Sequence, residues 1–207
     1  MTLVKICGIT NLDDALGAID AGADLLGFNF YQHSPRYIHP EQARAIIDQL
    51  PHNVATVGVF VNEKREEIEQ IATTSGASVL QLHGNESREY CQALQPREMI
   101  KVFHTDEDFV PEVIVNYEVQ AVMLDTGDQK TFGGTGKLSN WTLARMTREL
   151  FPKLFLAGGL SPENVAAAIG AVDPYAVDAC SSLESAPGRK DHERMRAFVA
   201  AVRAASV

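Results

Sequence analysis

Short apolar runs alternate with longer amphipathic stretches along the whole chain, and this alternation constrains the fold more than any other feature. The apolar runs are β-prone and short enough to be strands. The eight predicted strands are Leu3–Cys7, Asp24–Phe30, Val54–Val61, Ser78–Leu82, Met99–Phe103, Gln120–Leu124, Leu154–Ala157 and Tyr175–Asp178. Nearly continuous apolar strands separated by helices are typical of a parallel sheet covered by helices.

Most of the connecting stretches carry apolar residues at helical spacing. The predicted helices are Asn11–Ala21, Pro40–Leu50, Glu63–Ser75, Glu86–Leu94, Ser139–Leu150, one that opens at Ser161–Pro162–Glu163, and Asp191–Ala204. Asn62 is expected to cap the third helix and Gly76 to end it. The connection Asp106–Val119 is poorly helical because Pro111 interrupts it. Eight strand–helix units favour closure into a (β/α)₈ TIM barrel over an open doubly wound sheet.

No composition shift, linker or low-complexity stretch divides the 207 residues, so we predict one barrel domain spanning 1–207. The net charge of −9 argues against nucleic acid or an anionic membrane as the main partner. Cys7, Cys91 and Cys180 are scattered, which predicts neither a disulfide framework nor a zinc site. Because the segment MTLVKICG does not resemble a signal peptide and no window approaches a membrane span, we expect a cytoplasmic protein.

Unusual polar residues gather where the predicted strands end. In a barrel of this kind the chemistry belongs at the C-terminal ends of the strands. The strand-end residues are Cys7, Asn29 with the loop Ser34–Tyr37, Gln81 and His83, Asp125, Gly158–Gly159, and Asp178 with Cys180–Ser182. A random scatter would place many of these residues on helix faces or at strand starts, so the pattern predicts an active site at this end of the barrel.

Two glycine segments are candidate anion sites. Gly158 and Gly159 lie between a strand and a predicted helix N-terminus, where backbone N–H groups can approach a phosphate. The local sequence leaves a plain tight turn equally open, but the neighbouring segment Cys180–Ser182 favours phosphate. The run Gly133–Gly136 lacks the Lys-Ser/Thr of a nucleotide P-loop, and we interpret it as a loop over the site or a plain flexible connection.

Seven motifs stand together in one order along the chain: KICGIT, GFNFYQHSPRYI, VGVFVN, QLHG, LDTG followed by FGGTG, LAGGLSPENV and ESAPGRKD. In this combination the chain resembles the phosphoribosylanthranilate isomerase family of tryptophan biosynthesis over essentially its full length. The resemblance implies a (β/α)₈ barrel with a shortened fifth helical connection. It also implies an Amadori rearrangement of N-(5′-phosphoribosyl)anthranilate to 1-(2-carboxyphenylamino)-1-deoxyribulose 5-phosphate, without a cofactor or metal.

The resemblance implies that Cys7 is the general base and Asp125 the general acid. A cysteine pKa is ordinarily about 8.5, so Cys7 must be shifted toward the thiolate. An aspartate pKa is ordinarily about 3.9, so Asp125 must be kept protonated. On residue type alone, Cys7 could be a small buried hydrophobe and Asp125 a turn residue. Their strand-end positions and the resemblance favour catalysis.

The remaining site residues are expected to bind the substrate. Arg36 would clamp the anthranilate carboxylate, since a guanidinium forks onto a carboxylate, with a surface salt bridge as the alternative. Asp178 would contact polar atoms near the amine or hydroxyls. The phosphate contacts would come from Gly158, Gly159, Ser181 and Ser182, largely through backbone N–H groups. Gln81 and His83 would line the site, although His83 could equally be a structural hydrogen-bonding residue.

The segment Ala179–Glu184 departs from the family pattern Val-Ser-Ser-Gly-Val-Glu. Cys180 replaces the first serine and Ser182 replaces the glycine, which reduces backbone freedom at the expected phosphate site. Strands eight and one are neighbours in a closed barrel, so Cys180 and Cys7 could form a disulfide, although two separate reduced thiols are favoured. A Cα separation beyond about 7 Å would exclude a direct bridge.

Three other functions are compatible with a barrel of this kind. A pentulose-phosphate epimerase would need metal-binding His and Asp residues at several strand ends, and His83 lacks such companions. A two-substrate isomerase that also handles the histidine-pathway aminoaldose would carry an Asp where Cys7 stands. A catalytically silent phosphate-binding module stays open. We expect a small-molecule substrate, no nucleic-acid or membrane partner, and a monomer in preference to a homodimer.

Overall fold

The computed structural model describes residues 1–105, 109–125 and 141–205. Eight parallel strands close into a barrel in sequence order, with β8 paired back onto β1. The strands are β1 Leu3–Cys7, β2 Leu25–Asn29, β3 Ala55–Phe60, β4 Val79–Leu82, β5 Glu98–His104, β6 Ala121–Asp125, β7 Leu154–Leu156 and β8 Ala176–Ala179. The predicted (β/α)₈ barrel is therefore confirmed. The run Gly133–Gly136, interpreted above as a loop over the site, lies outside the described residues.

Helices cover the outside of this barrel. They are α1 Leu12–Ala21, α2 Pro40–Ile47, α3 Arg65–Ser75, α4 Arg88–Ala93, α5 Trp141–Leu150, α6 Val165–Val172 and α7 His192–Ala205. The irregular fifth connection contains a 3₁₀ helix, Pro111–Asn116, which Pro111 begins rather than interrupts because a proline is tolerated in a first helical turn. A short antiparallel hairpin, β9 Glu184–Ala186 and β10 Arg189–Lys190, follows β8.

One predicted helix cap is wrong and another is confirmed. Asn62 does not cap α3, which begins three residues later. Its side chain instead accepts a hydrogen bond from the backbone N–H of Asn85 at 2.7 Å, which ties two loops together. Gly76 does end α3, at a left-handed φ of 76° that glycine adopts without strain.

Side-chain alternation divides each strand between the barrel interior and the helix layer. The larger apolar cluster lies between strands and helices and includes Val4, Ile6, Leu26 and Phe28, each fully buried. A smaller apolar cluster fills the interior, and its members are Leu25, Val57, Val79, Ile100, Val102, Ala121, Met123, Phe155, Ala157 and Ala176. The same alternation continues to the C-terminal ends of the strands, where polar residues replace apolar ones.

Candidate active site

Cys7, the last residue of β1, lies inside the barrel beside a residue without a side chain. Its register partner on β2 is Gly27. A Cβ on Gly27 would lie 2.7 Å from the Cys7 Sγ atom and 3.1 Å from the Lys5 Nζ atom. Gly27 therefore leaves the space that the side chains of Cys7 and Lys5 occupy, as a strand glycine often does where other groups approach closely.

Lys5 is fully buried and stands two residues before Cys7, so both side chains face the interior. It pairs in register with Asp178 on β8, and its Nζ atom donates to Asp178 Oδ1 at 2.7 Å. Lys5 was not among the site residues predicted from the sequence. The available signal was a lysine in an otherwise apolar strand, at the spacing that places it on the same face as Cys7.

Charge and hydrogen bonding favour the thiolate of Cys7. Hydrogen bonding from the neighbouring Cys180 thiol lowers the pKa of Cys7 most. Burial opposes this shift, but the positive charges of Lys5 and Lys190 reinforce it, so the pKa of Cys7 lies well below its usual range. The pKa of Cys180 is raised by its hydrogen bond to Cys7 and by burial. Of the two thiols, Cys7 is therefore the one that is deprotonated first.

The two cysteines stand next to each other, as the barrel closure predicted. The β1–β8 register ends with Ile6 opposite Ala179; the next residues are Cys7, which ends β1, and Cys180, which directly follows β8. Both are free cysteines in this structure. A serine at position 180 in the family pattern would also place a hydrogen-bond donor here, so Cys180 preserves a polar partner for Cys7.

Lys5 and Asp178 form a buried ion pair, and both of them interact electrostatically with Cys7. Burial alone would lower the pKa of Lys5, but the charges of Asp178 and Cys7 raise it above its ordinary value. Burial raises the pKa of Asp178 to about 6, against the opposing charge of Lys5, and the negative charge of Cys7 contributes to the increase. Lys5 therefore stays protonated and compensates two anionic groups.

Arg36 is held by Glu184 in a bidentate ion pair. Its Nε atom lies 2.8 Å from Glu184 Oε1, and its Nη2 atom lies 2.7 Å from Glu184 Oε2. Lys190 also donates to Glu184 Oε1, at 3.0 Å. The loop of Arg36 is shaped by Ser34, whose Oγ atom accepts from the Arg36 backbone N–H at 3.2 Å. The salt bridge considered as the alternative for Arg36 thus exists, but it is mostly buried rather than on the open surface.

A second polar group lies across the barrel mouth, on β4, β5 and β6. The Nδ1 atom of His83 lies 2.9 Å from Gln81 Nε2, and its Nε2 atom lies 3.3 Å from Asp125 Oδ2. His104 stands opposite Asp125 in the β5–β6 register, with its ring centroid 5.5 Å from that of His83. Burial and the neighbouring His83 lower the pKa of His104. His83 therefore lies between Gln81 and Asp125. His104 belongs to the same group and was not predicted from the sequence.

The predicted phosphate segments lie side by side at the ends of β7 and β8. Gly158 and Gly159 have φ of 91° and 67°, which other residues rarely adopt. Asn164 donates to the Gly159 carbonyl at 2.9 Å and braces this turn. α6 begins only at Val165, so a turn separates the glycines from the helix. The hydroxyl of Ser182 donates to the Leu160 carbonyl, which joins the two segments.

Among the described residues, one group of carboxylates and histidine has metal-ligand proximity. Asp13, Asp14 and His192 bring one ligand atom each within 4.8 Å of the others, at the beginnings of α1 and α7. Asp14 Oδ2 already accepts from the Asn11 side chain at 2.6 Å and from the Lys190 backbone at 2.9 Å. These contacts give Asp14 a structural role in joining α1 to the β9–β10 hairpin.

Comparison with known proteins agrees with this geometry. The family model described as N-(5′-phosphoribosyl)anthranilate (PRA) isomerase matches residues 4–201. The protein of Trichlorobacter lovleyi named N-(5′-phosphoribosyl)anthranilate isomerase is 47% identical over 199 residues, which cover 96% of this chain and 97% of that protein.

Two solved structures show the same architecture. One contains monomers generated from the dimeric phosphoribosylanthranilate isomerase of Thermotoga maritima, with 41% identity, a TM-score of 0.89, and coverage of 99% of this chain and 100% of that one. The other is a phosphoribosylanthranilate isomerase in complex with reduced 1-(o-carboxyphenylamino)-1-deoxyribulose 5-phosphate, with the same identity, TM-score and coverage.

Proposed function

The chain belongs to the N-(5′-phosphoribosyl)anthranilate isomerase family, and from this membership we propose that Cys7 and Asp125 are the base and the acid of its reaction. The reaction converts N-(5′-phosphoribosyl)anthranilate to 1-(2-carboxyphenylamino)-1-deoxyribulose 5-phosphate by an Amadori rearrangement in tryptophan biosynthesis. Membership also decides against the epimerase and the two-substrate isomerase considered above. The proposed catalytic unit is the barrel of residues 1–207.

The reaction requires two proton transfers at opposite sides of the sugar. Asp125 donates a proton to the furanose ring oxygen, and the ring opens to a Schiff base. The Cys7 thiolate then removes the proton from C2′, which gives an enolamine that tautomerises to the ketone. Each transfer by a positioned group contributes about 10²–10⁴-fold to the rate.

One observation above all supports these roles: Cys7 and Asp125 end β1 and β6, on opposite sides of the barrel mouth, in different surroundings. Cys7 is next to Cys180 and the cations Lys5 and Lys190, which favour its thiolate. Asp125 is buried beside His83, and the phosphate and carboxylate of a bound substrate would add negative charge that favours a protonated carboxyl. Two titratable groups in contrasting environments form the usual acid–base arrangement.

The substrate's two anionic ends have separate partners in this proposal. Glu184 occupies the Nε and Nη2 positions of Arg36, so the anthranilate carboxylate would approach the Nη1 side of the guanidinium. The phosphate would meet backbone N–H groups of Gly158, Gly159, Ser181 and Ser182. Because the Ser182 hydroxyl is engaged with Leu160, its contribution would come from the backbone. Asp178 would contact polar atoms near the amine or hydroxyls, and Gln81 and His83 would line the site.

The test compares Cys7→Ala and Asp125→Asn with Cys91→Ala, a matched thiol deletion outside the site. Cys91 is buried in α4, among the residues between barrel and helices. We expect kcat to fall at least about 10²-fold in the first two variants, with unchanged circular dichroism, and to persist in Cys91→Ala. Near-normal kcat in either site variant would remove its assigned role. A folded wild-type protein that fails to isomerise the substrate would refute the activity itself.

The assembly and location of the chain complete the proposal. We expect a monomer in the cytoplasm, although a structural relative is described as dimeric. Within the described ranges, no helix is both long and apolar enough to cross a membrane. Sedimentation velocity at micromolar concentration measures the assembly directly, and a two-subunit species there would replace the monomer.

A further inference from the structure

A lysine buried inside a barrel of mainly apolar residues requires an explanation. Lys5 is fully buried, and its register partner on β2, Leu25, belongs to the apolar cluster that fills the interior. Removing an ammonium group from water is unfavourable, and a buried ion pair rarely stabilises a fold more than apolar residues of similar volume would. The Lys5–Asp178 pair is therefore poorly explained as a stabilising contact alone.

The position of Lys5 gives it a second partner. Its Nζ atom bonds to Asp178 and borders the space next to Gly27 that the Cys7 Sγ atom also borders. We propose that Lys5 is a positioning residue: held by Asp178, its ammonium group maintains Cys7 as the thiolate that accepts the C2′ proton. This inference rests on the proposed function for the base role of Cys7.

The other charged groups around Cys7 are less available to it. Lys190 and Arg36 both bind Glu184, at 3.0 and 2.7 Å, and Glu184 lies 4.0 Å from Cys180. The Glu184 carboxylate therefore offsets part of the positive charge of these two cations. Asp178 opposes the thiolate from β8, Cys180 donates to it, and Asp125 lies across the mouth on β6. Lys5 is the cation that shares the interior face of β1 with Cys7 and borders the same space beside Gly27.

Lys5 keeps its own proton throughout the reaction. The C2′–H bond breaks, its proton forms the S–H bond of Cys7, and the electron pair enters the enolamine double bond. When the enolamine tautomerises, C1′ gains a proton and the 2′-hydroxyl loses one, which balances the proton held on sulfur and the proton given up by Asp125 and restores the thiolate and the protonated carboxyl. A fixed positive charge lowers the free energy of the thiolate before and after this cycle, which raises the fraction of enzyme ready to react.

The decisive experiment replaces Lys5 and measures the reactivity of the Cys7 thiol directly. Iodoacetamide alkylation of Cys7 is followed by mass spectrometry of its peptide across a pH series, in Lys5→Gln, Lys5→Met and Lys5→Arg. Lys101→Met is the matched control. Lys101 is also buried and forms a 2.6 Å ion pair with Glu86, but it alternates with the interior residues Ile100 and Val102 and so lies on the outer face of β5. The pH dependence of kcat/KM is recorded in parallel.

We expect the midpoint of Cys7 alkylation to rise by about one pH unit or more in Lys5→Gln and Lys5→Met, which slows alkylation about tenfold at any pH below both midpoints. The kcat/KM should fall by a similar factor and recover at high pH, while Lys5→Arg and Lys101→Met keep the wild-type midpoint. Lys5→Gln can still hydrogen-bond Asp178, so it serves if Lys5→Met does not fold. An unchanged alkylation midpoint in folded Lys5→Gln would overturn the inference. Because alkylation needs no turnover, an inactive wild type would refute the proposed function separately.

Discussion

Replacing Gly27 with alanine adds one methyl group at the most crowded point of the site. Gly27 lies in the regular strand β2, so alanine suits its backbone and only the added volume matters. The new Cβ would meet the Cys7 Sγ atom at 2.7 Å and the Cys7 Cα atom at 3.1 Å. The first contact is closer than real Cβ atoms tolerate and the second is to backbone, so rotating the Cys7 side chain cannot relieve both.

The size of the effect follows from these contacts. Overpacking a well-packed interior costs typically about 1–3 kcal/mol, and the rigid β1–β2 pairing limits relaxation, so we expect about 2 kcal/mol less unfolding free energy. Displacement of Cys7 also moves the base relative to C2′. A misplacement of about 1 Å can reduce turnover by about 10²-fold, and we expect a loss of kcat of that order.

Gly170→Ala is the matched control, since a Cβ on Gly170 has no neighbour within 4 Å. Gly170 lies in α6, where alanine is preferred over glycine by about 0.5–1 kcal/mol, so this variant should be slightly more stable and fully active. Urea unfolding and steady-state kinetics measure both quantities. If Gly27→Ala matched the wild type in stability and kcat, the close packing of Cys7 against β2 would be wrong.

Three further changes probe the same cluster. Cys180→Ala removes the donor that lowers the pKa of Cys7, so the rising limb of kcat/KM should move to higher pH, whereas Cys180→Ser should retain most of the effect; an unmoved limb in Cys180→Ala would contradict this. Arg36→Met should raise KM about 10–100-fold, since a charged hydrogen bond contributes about 1.5–3 kcal/mol, and an unchanged KM would exclude a carboxylate contact. Burial would raise the pKa of Glu184, but Arg36 and Lys190 lower it below its ordinary value of 4.5. Ionised Glu184 therefore stabilises the folded protein at neutral pH, and this contribution is lost as the pH falls through the native pKa. The difference in unfolding free energy between wild type and Glu184→Gln should therefore shrink from pH 7 to pH 3, and a constant difference would refute the assignment.

The strand pattern made most of the architecture predictable. Strand β1 was predicted with its observed bounds, because a buried parallel strand is a short apolar run whatever surrounds it. Helix starts were less predictable. α6 begins at Val165 instead of Ser161, since Asn164 forms a turn with Ser161 and Gly159 that sequence propensity does not reveal.

Some features of the site were also predictable from the sequence, and others were not. The position of Cys7 at a strand end and the neighbourhood of Cys180 followed from the order of the strands, because closing a barrel places β8 beside β1. The engagement of Arg36 by Glu184 did not follow, since 148 residues separate them and their pairing depends on where the β9–β10 hairpin lies.

What the sequence determined by itself is therefore everything that depends on local periodicity and chain order: eight strand–helix units, a closed barrel, and polar residues gathered at one end. Only the tertiary structure decided which charged groups lie close to Cys7. Lys5 is an ordinary strand lysine in the sequence, and it becomes significant because the register aligns it with Asp178 and because Gly27 leaves room for it beside Cys7. Electrostatic effects depend on distance and burial, which arise from contacts between residues far apart in the chain.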